Sequence, residues 1–186
     1  MAENKAMVKT GPALWIFAAA AVFLSGCGYT TKNVIAEEIR TIYVEPIKNA
    51  INIGDEITEK GNFRVYRPGL EVDLTNAVIN RFIFDGNLKV TSQEKANAVL
   101  TAKLTDYHRE PLRYTDGDDI QEYRIGITAD VAIYKKADHK LLWHELITGD
   151  TTYFLSGSRA LTEDEAAAKA VEDTARRVVE KTMELW

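Results

Sequence analysis

The sequence predicts an α+β domain in which two helices cover one face of a small, mostly antiparallel sheet of four to five strands. Two stretches carry apolar residues at the three-and-four spacing of a helix with one buried stripe. Between them, residues 98–105 and 122–134 alternate apolar and polar positions, as strands with one buried face do. The order strand, helix, two strands, long hairpin, helix therefore predicts a two-layer sandwich with one polar sheet face.

The first strand is predicted over residues 39–45 and ends at Pro46, because proline cannot donate to a ladder. Residues 49–69 read as a long irregular loop, in which residues 63–66 can form a short strand. The first helix then begins at Leu70. Gly86 stands just past its end, where a left-handed residue commonly stops a helix. The residues of its buried stripe are Leu70, Leu74, Ala77, Val78 and Phe82.

The rest of the predicted sheet begins with short strands at residues 87–90 and 98–105, followed by a polar loop over residues 109–119. Residues 122–134 form the clearest strand, and residues 141–154 return as its partner after a turn. In the last helix, Thr162 and Glu165 are spaced as a capping box, which satisfies orphan amides at a helix start. A stripe from Ala166 continues to the C-terminus.

The N-terminus has the pattern of a bacterial signal peptide. Lys5 and Lys9 precede an apolar run at residues 13–24 of about 12 residues, shorter than the ~20 that a spanning helix needs. The run closes on Leu24-Ser25-Gly26-Cys27, which reads as a lipobox. We expect cleavage before Cys27 and lipidation of its thiol. The predicted division is a signal peptide at 1–26, a lipidated cysteine and tether at 27–38, and a single domain at 39–186.

Lipidation at Cys27 predicts a stable membrane anchor. Bacterial lipoproteins carry three acyl chains, palmitate among them, on such a cysteine, and two or more chains anchor stably. The next residue is Gly28, whereas Asp at this position retains enteric lipoproteins in the inner membrane. The sequence therefore predicts the outer membrane. Cys27 is the only cysteine, so the domain must be stable without a disulfide.

Charge and motifs exclude several classes of function. The chain has 23 basic and 28 acidic side chains, and loss of Lys5, Lys9 and Glu3 leaves a mature net charge of about −6. Nucleic-acid binders show a basic face, so we expect none here. No catalytic elbow or phosphate loop occurs, and the histidines lack the spacing of a metal site. We therefore predict no catalytic residue, metal or cofactor.

Two groups of basic residues are candidate phosphate sites, since arginine offers bidentate geometry. The predicted topology places Arg109, Arg113 and Arg159 on loops at one end of the sheet. The alternative is ordinary solvated loop charge. A second group lies at the opposite end, in the turn of the last hairpin: Lys135, Lys136 and Lys140.

Taken in order, short motifs along the mature chain resemble the LptE family of lipopolysaccharide-assembly lipoproteins. The chain differs from many members in its long insertion at residues 49–67. A final alanine-rich helix also matches. The other matching motifs are Cys27-Gly28-Tyr29, Ile42-Tyr43-Val44 followed by Asn49, Pro68-Gly69-Leu70-Glu71 before Leu74, Ala98-Val99-Leu100, and Glu122-Tyr123-Arg124-Ile125.

The resemblance implies a role without catalysis. Members sit inside the outer-membrane barrel protein LptD as a plug, aid its assembly, bind lipopolysaccharide and help deliver it to the outer leaflet. Their lipopolysaccharide contacts lie in the loops before the long hairpin and before the last helix. In this sequence Arg113 and Arg159 fall in those loops, and their guanidinium groups would pair with lipid A or core phosphates.

Two other classes remain open from the sequence. A lipoprotein of the secretion-channel or cell-wall-synthase activator type can also begin with a lipobox and a strand resembling Ile42-Tyr43-Val44-Glu45-Pro46. A lipid-anchored hydrolase would need a catalytic group, for which His108, His139 and His144 are the only histidine candidates.

Overall fold

The computed structural model describes residues 39–51 and 67–184. The predicted signal peptide, the lipidation site at Cys27, the tether and the short strand at 63–66 lie outside the described residues. One 3-10 turn spans Gln93–Lys95. The helices and strands are β1 Thr41–Val44, β2 Lys48–Asn49, α1 Leu70–Asp85, β3 Lys89–Val90, β4 Ala98–Tyr114, β5 Ile120–Lys135, β6 Lys140–Phe154 and α2 Glu163–Met183.

The six strands form one open sheet in the order β3-β1-β4-β5-β6, with the two-residue β2 also pairing with β4. The long strands β4, β5 and β6 are antiparallel, whereas β1 runs parallel to both β3 and β4. Helix α2 packs on β5 and β6, and α1 packs beside α2 and on β1. The predicted α+β two-layer architecture is confirmed, and the very short β2 brings the strand number to six.

The predicted polar loop at residues 109–119 is wrong. Strand β4 continues to Tyr114, and only residues 115–119 form the turn before β5. Register shifts occur after Leu104 and again around Arg113. Each shift changes which positions face the helices, so the alternation that marks a strand in the sequence is lost there.

The two helices bury different kinds of side chain. Helix α1 buries Leu70, Leu74, Val78 and Phe82, four of the five residues of its predicted stripe. Its C-terminus ends at Gly86 in the left-handed region (φ 78°), and the Gly86 N–H donates to the Phe82 carbonyl at 3.0 Å. Helix α2 buries mostly alanine and valine. Small side chains let its backbone lie close to the sheet.

Helix α2 approaches the sheet very closely at Gly149 of β6. A Cβ atom there would lie 2.3 Å from the Thr174 backbone nitrogen and 2.3 Å from its Oγ1. Thr174 is fully buried, and its hydroxyl donates to the Ala170 carbonyl at 2.8 Å. The helix backbone therefore rests directly on the strand backbone, and only glycine fits beneath it.

The outer edge of β6 is partly covered. The Asp150 backbone N–H donates to Asp173 Oδ2 on α2 at 3.1 Å. Beyond it, Phe154 forms a parallel bridge to Ala160, and the Leu161 N–H donates to the Phe154 carbonyl at 3.2 Å. The C-terminal half of this edge thus finds partners within the described part of the chain.

We predict that Gly149→Ala lowers the free energy of unfolding by about 1–3 kcal/mol, because α2 must shift to accommodate the added methyl group. Urea unfolding monitored by circular dichroism measures the change. Gly117→Ala is the matched control, since its nearest neighbour would be Thr115 Oγ1 at 3.8 Å. Equal midpoints for the two variants would contradict a tight contact at Gly149.

Candidate functional site

Arg113 and Arg159 meet on the ring of Phe154 at the end of the sheet where β4 ends and β5 begins. Their guanidinium carbons lie 5.8 Å and 5.5 Å from the ring centroid. Both arginines are exposed. We call Arg113, Phe154 and Arg159 the arginine end. Arg113 and Arg159 therefore lie at the predicted end of the sheet, although Arg113 is in β4 and not on the predicted loop.

Strand register places the arginine end. Arg113 is opposite Glu122, and Glu122 is opposite Phe154, so the three side chains occupy neighbouring strands. Glu122 is buried, and its Oε2 lies 3.4 Å from Arg113 Nε. Arg159 arrives from the loop after β6, which the bridge between Phe154 and Ala160 holds against the strand. The Arg159 guanidinium thus reaches the Phe154 ring from a different segment of the chain than Arg113 does.

Arg109 does not join this pair. It lies in β4 and not on the predicted loop, and its Nη1 pairs with Glu163, the first residue of α2. Its guanidinium carbon is 4.6 Å from the centroid of Tyr123, which stacks on Tyr153. These contacts give Arg109 a role in joining the sheet to α2.

Glu163 also accepts a hydrogen bond from the Tyr107 hydroxyl at 3.2 Å. The Tyr107 ring is buried. Burial, followed by the negative charge of Glu163, raises the pKa of Tyr107 to about 12 from its ordinary value of 10.0. The phenol must therefore stay neutral for the contact between β4 and α2 to persist.

We predict that the protein loses stability as pH rises from about 10 to about 12. A folded-state pKa above the unfolded value favours the folded state below the unfolded pKa, and this contribution disappears as the folded pKa is passed. The difference of about two pKa units corresponds to about 2–3 kcal/mol. Tyr107→Phe should reduce that dependence in urea unfolding across this range, leaving the smaller part from Tyr153, whose pKa burial also raises. Tyr114→Phe, at an exposed position, should retain the full dependence. Parallel curves of unfolding free energy against pH for the wild type and Tyr107→Phe would contradict the attribution of this pH dependence to Tyr107.

Three exposed apolar residues are sequence neighbours of Arg113 or Phe154 at this end of the sheet. Leu112 is 40% exposed, Tyr114 52% and Leu155 50%, and each is adjacent in sequence to Arg113 or Phe154. The turn beyond them is acidic and carries Asp116, Asp118 and Asp119. Exposed cations beside exposed apolar groups can bind an amphiphile that carries phosphate. The acidic turn disfavours phosphate beside it, so the two guanidinium groups define where an anion is held.

The outer sheet face carries histidine–carboxylate pairs that the sequence did not predict. His144 Nε2 lies 2.5 Å from Asp130 Oδ1, and His108 Nδ1 lies 2.8 Å from Asp106 Oδ2. No group of three or more possible metal ligands occurs within residues 39–51 and 67–184. These pairs are explained as polar contacts of a solvated sheet face.

The second predicted basic group lies where the topology places it, at the opposite end of the sheet. Lys135 ends β5 and pairs with Lys140 at the start of β6. Lys136 Nζ donates to the backbone carbonyls of Gln93 at 2.5 Å and Glu94 at 2.8 Å.

Neither helix in the described part of the chain is both long enough and apolar enough to cross a bilayer.

Sequence reasoning missed Phe154 as the platform of the site and Glu122 as its anionic neighbour. A signal for Glu122 existed, because the charged face of residues 122–134 was visible. The meeting of Arg113 and Phe154 depends on the register shifts in β4, which no sequence pattern marks.

The family model described as "LptE: Lipopolysaccharide-assembly" matches residues 39–183. No curated protein matches the sequence. Among solved structures, a protein from Xanthomonas campestris has 15% identity and a TM-score of 0.50, covering 77% of this chain and 81% of its own. Rare lipoprotein B from Shewanella oneidensis has 16% identity, a TM-score of 0.42 and coverages of 76% and 94%. A minor lipoprotein from Acinetobacter baumannii has 11% identity, a TM-score of 0.47 and coverages of 78% and 94%.

Proposed function

Because the chain belongs to the LptE family of lipopolysaccharide-assembly proteins, we propose that it is a lipoprotein of the outer membrane. It plugs and helps assemble an LptD-type β-barrel, and it binds lipopolysaccharide during delivery to the outer leaflet. Lipidation at Cys27 would anchor it at the periplasmic face. We expect neither catalysis nor a cofactor in this role.

The observation that carries the lipid-binding step is the pair of guanidinium groups on Phe154. Guanidinium donates two parallel hydrogen bonds to a phosphate oxygen pair, and lipid A carries phosphates beside acyl chains. The exposed side chains of Leu112, Tyr114 and Leu155, sequence neighbours of Arg113 and Phe154, would supply apolar surface at the same end of the sheet. Arg109 contributes indirectly, because its ion pair with Glu163 holds α2 against β4.

The outer face of the sheet supports the plug role. A barrel lumen is polar, so a plug needs a polar surface on the side that meets it. Glu110 and Arg124 form a cross-strand ion pair at 3.3 Å on this face, and the hydroxyls of Thr128 and Thr148 lie 2.9 Å apart. Such a face can meet a hydrated lumen wall without exposing the apolar core.

The family match does not favour the alternative of a secretion-channel or cell-wall-synthase activator lipoprotein. The histidines give the hydrolase class no support either. Two of them pair with Asp106 and Asp130 on the outer sheet face, and His139 lies in the turn before β6 with a φ of 54°. We therefore propose the plug and lipid-binding role over both alternatives.

We predict that Arg113→Glu combined with Arg159→Glu weakens lipopolysaccharide binding at least about ten-fold, because two charge-assisted contacts become repulsive. A pull-down with immobilised lipopolysaccharide measures the change, and urea unfolding checks the fold. Lys103→Glu with Lys169→Glu makes the same change in net charge at exposed positions elsewhere. Binding that is unchanged, or lowered equally by the control pair, would remove the arginine end as the site.

The plug proposal predicts that the protein purifies with an LptD-type barrel after detergent extraction of membranes. A tag on the C-terminus of this chain allows capture, and mass spectrometry identifies the barrel. A tagged outer-membrane lipoprotein of another fold serves as the control for non-specific capture. Recovery of a monomer without a barrel, with normal lipopolysaccharide export after deletion, would refute the role.

A further inference from the structure

The end of the sheet opposite the arginine end carries a second charged surface that the proposed lipopolysaccharide site does not use. Strand register assembles it from segments that are distant in sequence. Thr41 is opposite Lys89, Ala98 is opposite Lys135, and Lys135 is opposite Lys140. We call this surface the basic end, and its residues are Arg40, Lys89, Lys95, Lys135, Lys136 and Lys140.

Backbone hydrogen bonds hold the basic end together around Asn97. The Lys89 N–H donates to the Arg40 carbonyl at 3.0 Å, and the Lys136 N–H donates to the Asn97 carbonyl at 2.8 Å. Asn97 Oδ1 in turn accepts the Arg40 N–H at 3.4 Å. Backbone hydrogen bonds therefore hold the segments that carry these cations next to one another.

Basic side chains outnumber acidic ones at this end, although the chain as a whole is acidic. Arg40, Lys89, Lys95 and Lys140 are exposed and form no ion pair with any residue in the described ranges. Glu94 and Asp138 are the acidic residues in the same segments. The mature chain is acidic overall, and the turn at the far end of the hairpin carries three aspartates at positions 116, 118 and 119. Charge is thus separated along strands that extend about 50 Å.

The chain also enters the sheet at the basic end. The described domain begins at Ile39, beside Arg40, and β1 runs from Thr41. Eleven residues, 28–38, separate Ile39 from Cys27. An extended segment of that length reaches at most about 40 Å, so a lipid anchor at Cys27 keeps this end within reach of a bilayer surface.

We propose that the basic end docks on the anionic phospholipid headgroups of the membrane that carries the anchor. This inference rests on the proposed lipidation of Cys27. Attraction to the surface falls off within a Debye length and grows with each Lys or Arg near it, so the tether and the cations act together. Lysines spread over several segments suit a plane of headgroups better than one enclosed phosphate, and Lys136 Nζ is already occupied by two carbonyls. Docking orients the domain with its acidic turn and arginine end away from that surface.

The test uses the full mature chain with Cys27→Ser, so that no acyl chain contributes to binding. Vesicles of phosphatidylcholine and phosphatidylglycerol, at a ratio of about two to one, are sedimented with the protein at low and high salt. We expect salt-sensitive binding, with little binding to pure phosphatidylcholine. Lys89→Glu with Lys95→Glu and Lys140→Glu should reduce the partition coefficient at least about ten-fold.

The matched control is Lys48→Glu with Lys103→Glu and Lys169→Glu, which makes the same change in net charge at exposed positions outside the basic end. Equal loss in both triple variants, equal binding to neutral vesicles, or displacement by inorganic phosphate well beyond that caused by sodium chloride of equal ionic strength would each overturn the proposal. Palmitate labelling and barrel capture of the wild-type chain test the proposed function independently of the vesicle experiment. A failure of either leaves the vesicle result interpretable.

Discussion

The direct contact between the backbones of α2 and β6 at Gly149 determines where the last helix lies. Thr174 rests on that glycine, and no larger residue can separate the two elements. With the helix fixed there, its first turn meets β4, where Glu163 accepts from Tyr107 and pairs with Arg109. The short loop from Phe154 to the helix start has little freedom as a result. The contacts at Gly149 and Glu163 therefore hold the start of α2, which follows the loop that carries Arg159.

The two ends of the sheet present different sets of side chains, and the antiparallel hairpins explain why. A turn joins β4 to β5 at one end and β5 to β6 at the other, so residues near each turn gather with the termini of neighbouring elements. One end combines two arginines with an aromatic ring and apolar side chains. The other combines lysines from four segments around Asn97. A lipoprotein that meets lipid at both ends would use each surface for a different headgroup.

The sequence predicted the helices better than the strands, for a physical reason. Helix periodicity and caps are local: the capping box formed by Thr162 and Glu165 is present, and Gly86 adopts its predicted left-handed conformation. Strand extent depends on partners. The charged residues from His108 to Arg113 look like a loop, yet pairing with β5 keeps them extended. The convergence of Arg113 and Arg159 was predicted from topology, whereas their shared ring and the diversion of Arg109 to Glu163 depend on register shifts that have no sequence signature.

The hydrogen bond from the Asp150 N–H to Asp173 helps to protect the edge of β6 against pairing with a foreign strand. An open strand edge presents unpaired amides and carbonyls that invite a foreign strand, which is a common start of aggregation. Here α2 occupies one of those amides, and the return of the chain to Phe154 covers the end of the same edge. A strand adding along the whole of β6 would first have to detach the last helix from Asp150 and open the bridge at Ala160. The described domain would therefore resist pairing with a second copy of itself along this edge.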